Sequence, residues 1–392
     1  MLLSQHGLPA LALALSPTLA AQADEADAKA FLDFVATIES AMADSDPSVF
    51  HDAMDVDRFV ERVRVGLPEG PKIDAMMEGF KIGFEGSNRM AADIVESLEE
   101  YDGTYVFLRM MPDAPTHALF RWAGDDGLEY HELALERSDD GTVRIADILP
   151  MSFGQWSSES SREFLVDLVA ERNPSLWERF TGAKPESLAA ILKVKEMTEA
   201  LEDDPAAALE IYDSLPEKTK TRIHVQRLRI TAAADIDDET YLAALEDFAR
   251  FHPDCAAIPL MMIDAHILVD DYDAVREDID RLEEMVHGDP YLDITRAQIL
   301  IKEERYDRAR EALARAVEQD ERLEMPAAWE LLEIHLATDD HEQTFRTLDW
   351  LYENSDWYVG DTTGLEAYGA FNESEWGKRW LQKMEEAGEL DD

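Results

Sequence analysis

The sequence predicts an α+β domain, helices plus a four-stranded antiparallel sheet, followed by an all-α solenoid of helical hairpins. Three observations predict it. Apolar residues recur at helical spacing from residue 27 to 99. Between Tyr101 and Leu149 the period changes, and four segments alternate apolar and polar residues as half-buried strands do. Beyond residue 185 a pattern repeats: Asp271-Tyr272-Asp273 with Arg276-Glu277 returns as Arg305-Tyr306-Asp307 with Arg310-Glu311. Tyr272 and Tyr306 are 34 residues apart, one period of a helical-hairpin array.

In chain order, Leu8 to Ala20 form an Ala/Leu-rich run too short to span a bilayer. Ala21-Gln22-Ala23 then gives a small-x-small cleavage pattern ahead of Asp24-Glu25, so residues 1–23 are expected to be a secretory signal peptide. The first seven residues lack the Lys or Arg that such peptides carry. No later run is long enough for an integral membrane span, and the mature chain is expected to be periplasmic or secreted. With 86 Asp plus Glu against 36 Lys plus Arg, the formal net charge is −50. Such a field repels phosphate backbones and anionic headgroups, which excludes nucleic-acid partners. The acidity has two readings, a surface tuned for solubility at high salt, or a basic partner or bound cations. Cys255 is the only cysteine, so neither a disulfide nor a thiolate metal cluster is available.

Residues 27–155 make up the expected α+β domain. Phe31, Phe34, Val35 and Ile38 share one helical face, and Asp46-Pro47-Ser48 restarts a helix. Phe59, Val60 and Val63 continue the pattern until Gly66-Leu67-Pro68 and Gly70-Pro71 break it; Ile73, Met76, Met77 and Phe80 open another helix. The strands are Tyr101–Met111, His117–Trp122, Leu128–Leu135 and Val143–Leu149, separated at hairpin spacing. Helices on one face of a curved antiparallel sheet resemble the nuclear-transport-factor-2-like and cystatin-like cone folds, over about 120 residues and by element order alone. Residues 156–185 are expected to be a helical linker, with a short helix over Leu176–Phe180 and a boundary at Gly182-Ala183-Lys184-Pro185.

Residues 186–355 carry about five hairpins. The small-residue slot of each second helix falls on Ala208, Ala244, Val275, Ala309 and Thr344. Larger residues follow four positions later (Tyr212, Phe248, Ile279, Leu313, Leu348) and three beyond those (Leu215, Phe251, Leu282, Ala316, Leu351). On these residues the chain resembles the tetratricopeptide-repeat family. The first helices lack the family's usual Trp and Gly, so the repeats are divergent. Residues 356–392 break the period, and the helix carrying Trp376, Trp380 and Met384 is expected to cap the array.

No phosphate loop, nucleophile elbow, zinc-protease helix or calcium loop occurs, and the expectation is a non-enzymatic protein without a cofactor or metal. His131 and Glu132 point to opposite faces of one strand and read as an ordinary polar outer face. The rival reading places His117, Tyr130 and sheet-facing aromatics around a small-molecule or catalytic pocket, with the solenoid as a dimerisation module. The carboxylates of Asp235–Glu239 and Asp270–Asp273 read as helix caps rather than calcium ligands. The resemblance implies that the first helices line a concave face. Asp264, Gln298, Lys302, Trp329 and Glu333 are the candidate groove residues. With Lys302 the chief cation there, a clamp for a peptide carboxylate is not expected, and the face suits a basic or amphipathic protein segment. Homo-oligomerisation is left open.

Overall fold

A computed structural model describes residues 17–67, 69–87, 89–124, 127–172, 185–201, 203–355 and 358–390. Most of the apolar run from Leu8, the expected helix at Leu176–Phe180 and the boundary at residues 182–184 lie outside them. The chain forms two compact units, Met1–Ile258 and Pro259–Asp392.

The first unit opens with five helices: α1 (Pro17–Ala43), α2 (Pro47–Ala53), α3 (Val56–Arg64), α4 (Pro71–Ser87) and α5 (Met90–Glu100). Asp46 and Asp55 start α2 and α3 by accepting the amides of Ser48 and Arg58, each at 3.0 Å. The sheet is a meander ordered β1-β2-β3-β4, all antiparallel: β1 (Thr104–Met110), β2 (His117–Gly124), β3 (Gly127–Arg137) and β4 (Val143–Pro150). Gly124 has no substitute in the β2–β3 hairpin, because a Cβ there would lie 2.7 Å from the carbonyl oxygen of Tyr101. Phe120, Leu133, Leu135 and Ile145 join Val35, Ile38, Phe50, Phe59 and Ile73 in one core. Phe59 stacks on Phe84 with ring centroids 4.6 Å apart.

The expected outer face is covered rather than exposed in the middle of the sheet, and it carries the buried Arg121. Leu119, Tyr130, Ala134 and Ala146, which alternate with the core positions, are all at most 1 % exposed. His131 is itself buried, and its Nδ1 lies 3.2 Å from the Tyr105 hydroxyl.

Asp147 anchors β4 to the next helix, α6 (Ser157–Arg172), by accepting the Ser158 amide and hydroxyl at 3.1 and 2.5 Å. Arg222 joins α6 to the first hairpins through Asp167 at 3.1 Å and Glu163 at 3.3 Å. Those hairpins consist of α7 (Pro185–Leu201), α8 (Pro205–Asp213), the short α9 (Glu217–Lys220), α10 (Ile223–Ala234) and α11 (Asp238–Phe251). The second unit carries most of α12 (Ala257–Leu268), then α13 (Tyr272–Met285), α14 (Tyr291–Lys302), α15 (Tyr306–Gln319), α16 (Glu324–Ala337) and α17 (His341–Asn354).

The second helices begin at 205, 238, 272, 306 and 341, at intervals of 33, 34, 34 and 35 residues. Asp204, Asp237, Asp271 and Asp340 precede four of them, each accepting a first-turn amide at 2.7–3.2 Å. Two acidic clusters noted in the sequence thus contain caps, Asp237 and Asp271. Asp270, Glu304 and Asp339 turn the chain between helices at φ of +53° to +59°. All five slot residues are fully buried, at 0 % exposure. The cap register nevertheless shifts the second frame by three residues. Tyr241, Leu245 and Phe248 stand where Val275, Ile279 and Leu282 stand one repeat later, and Ala244 lies one turn beyond the slot.

After α17, a short α18 (Gly369–Glu373) leads to α19 (Glu375–Ala387). Phe371, Trp380 and Met384 pack on Leu348 and Leu351 of α17. Trp380 donates its indole N–H to the Gly360 carbonyl at 3.0 Å. The outward residues Lys378, Arg379 and Gln382 are exposed, so α19 gives the last apolar face of α17 a polar exterior.

Candidate functional site

The candidate groove residues lie on α12, α14 and α16, the first helices of three successive hairpins. Asp264, Gln298 and Glu333 recur at 34 and 35 residues, and all three are exposed. Their flanking residues Ala265, Ala297, Ile299, Leu332 and Ile334 are buried, so each helix offers a narrow polar edge beside an apolar seam.

Gln298, Lys302 and Glu333 come together around a fourth residue, Glu330. The Gln298 side-chain amide donates to Glu330 Oε1 at 2.8 Å, bridging α14 and α16. Burial pushes the Glu330 carboxyl pKa above its usual range. The Gln298 hydrogen bond opposes that rise, Glu333 adds to it, and Lys302 draws it back down. Trp329 is half-buried beside Ala328 and Leu332, in a cluster that also includes Phe345 and Trp350. Asp264 stands on α12, one hairpin earlier. The repeat frame did not mark Glu330, because it lies one turn before Glu333, off the periodic position. Its distance of 32 residues from Gln298, two short of a period, was the available signal.

His117 and Tyr130, which the rival reading places around a pocket, lie in different settings. Tyr130 is fully buried at 0 % exposure. His117 Nδ1 and Glu132 Oε1 are 2.5 Å apart, with Trp156 edge-on to the imidazole. A cleft of about 960 Å³ lies elsewhere, between α3, α4 and the β3–β4 turn, lined in part by Met54, Arg58, Val60, Met77, Lys81 and Asp139. Three of its cations meet carboxylates, Arg58 with Glu61 at 3.0 Å, Arg64 with Asp74 at 2.5 Å and Lys81 with Asp57 at 2.5 Å, while Arg144 donates to the Asp52 carbonyl.

Cys255 is half-buried, with Sγ 3.6 Å from the Gly154 carbonyl oxygen. Burial pushes its thiol pKa up, opposite to what a nucleophile requires. No described helix is long and apolar enough to cross a membrane. No family model, curated protein or solved structure matches the chain.

Proposed function

We propose that this protein is an exported, non-enzymatic scaffold whose hairpins are divergent tetratricopeptide-type repeats. They bind a basic or amphipathic segment of another protein along Asp264, Gln298, Lys302, Trp329 and Glu333. The observation that carries this reading is the exposed Asp264–Gln298–Glu333 series, one polar position per hairpin at 34 and 35 residues beside buried apolar neighbours. An extended or helical segment could meet the same chemistry at each step of such a ladder. The apolar run from Leu8 and the Ala21-Gln22-Ala23 pattern support export.

Capture from an envelope or secreted fraction tests the groove. Asp264→Lys combined with Glu333→Lys is expected to abolish capture of the partner. Glu311→Lys with Glu318→Lys, equally exposed on the second helix α15, is expected to leave it intact. Equal capture by both double variants would remove the groove assignment. The 960 Å³ cleft favours a second reading, a small-molecule site in the N-terminal domain. Ligand-dependent thermal shifts lost in Glu78→Trp, which places an indole on the exposed lining of the cleft, would support it.

A further inference from the structure

We propose that Glu330 is the seat for one lysine or arginine side chain of the docked partner, with Gln298 orienting the carboxylate and Glu333 reinforcing its negative potential. This rests on the docking reading above and names its central contact.

Glu330 lies in the second turn of α16, half-buried, with Oε1 fixed by Gln298 at 2.8 Å. Among the described residues no cationic nitrogen lies within ion-pair distance of it; Lys302, at the end of α14, acts on it only through space. By contrast, Glu303, Asp293 and Asp320 of the same unit each meet a guanidinium, from Arg276 at 2.9 Å, Arg315 at 3.1 Å and Arg322 at 2.8 Å.

A carboxylate withdrawn from water without a counter-charge destabilises the fold. The raised pKa of Glu330 reflects that cost. Oriented by an amide and lacking a cation, such a group gains most from an arriving ammonium or guanidinium, through a charge-assisted hydrogen bond in a partly desolvated setting. Charge complementarity selects the occupant: Glu333 stands three residues away on the same helix, and a phosphate or carboxylate would be repelled. Lys302 is the resident competitor, so its removal should strengthen the partner's cation.

The test uses the full chain and a panel of fluorescein-labelled amphipathic dodecapeptides with one central lysine, each paired with its Nε-acetylated form. Binding is read by fluorescence anisotropy. The lysine form is expected to bind at least about tenfold more tightly than the acetylated form. Glu330→Gln should remove that preference while leaving the acetylated form unchanged, and Lys302→Ala should enlarge it. Glutamine keeps the shape and can still accept from Gln298. The variant should be at least as thermostable as wild type at pH 7, which separates a recognition role from a structural one. Loss of affinity for both peptide forms alike, or for neither, would overturn the seat while the docking reading stands. If no lysine peptide in the panel binds the wild-type chain, seat and docking reading fall together.

Discussion

His131 shows what a single buried titratable side chain contributes. Its ring lies 5.6 Å from that of Tyr105, and its Nδ1 is 3.2 Å from the Tyr105 hydroxyl. Burial pushes its pKa below the ordinary histidine value, with the Glu129 carboxylate opposing the shift. In the unfolded chain the imidazole takes up a proton near pH 6.5, while in the folded chain it does so only at lower pH. Stability is therefore lost as pH falls through about 6.5 towards the depressed value, and is fully present above it. Urea midpoints between pH 7.5 and 5 should fall more steeply for wild type than for His131→Asn, which keeps a polar partner for Tyr105. Parallel profiles would show that the imidazole escapes burial. The strand alternation separated His131 from Glu132 correctly in the sequence. It gave no sign that both sheet faces are buried, because alternation records polarity and not what covers a face. Glu330 was hidden for a related reason, since its place is set by the reach of Gln298 across two helices rather than by the repeat.

At the scale of elements, caps and periods were legible because they are local. An Asp before a helical run satisfies a first-turn amide whatever packs around it. The frame of the second hairpin was misplaced by three residues for an equally local reason. Tyr241 fills a slot that Ala, Val or Thr fills elsewhere, so the nearest alanine, Ala244, drew the assignment one turn too far. α4 supplies a prediction of the opposite kind. Gly79 and Gly83 sit inside this 17-residue helix, both exposed, and a Cβ on either would meet nothing within 4 Å. Glycine in a helix interior costs roughly 0.5–1 kcal/mol relative to alanine. Gly79→Ala and Gly83→Ala are each expected to stabilise the chain by about that amount, with the gain read from urea unfolding. A loss in either variant would mean that this face is occupied when the protein is assembled, which local geometry alone does not require.

Over the whole molecule the two fold types were legible and the division into compact units was not. Punctuation at Gly182-Ala183-Lys184-Pro185 marks where composition changes, whereas the units divide at Ile258 and Pro259, within α12. Density of long-range contact leaves little trace in a local pattern. Net charge is different, because it acts on the whole chain and is fully written in the sequence. Added salt has two opposed effects here. It weakens attractive pairs such as Lys29–Asp33 and Arg89–Asp93, both largely exposed and therefore weak to begin with. It also screens repulsion among carboxylates, as the Debye length shrinks from about 30 Å at 0.01 M to about 3 Å at 1 M. With 86 acids and 36 bases, at least 50 carboxylates have no cation to pair with one-to-one, so the repulsive term has more members and dominates. The midpoints of thermal unfolding should therefore rise continuously from about 0.01 M to 1 M salt, equally for NaCl and KCl. A rise that instead saturates at low millimolar concentration of one particular cation would point to specific ion binding rather than general screening. A fall with salt would mean that the attractive pairs outweigh their number.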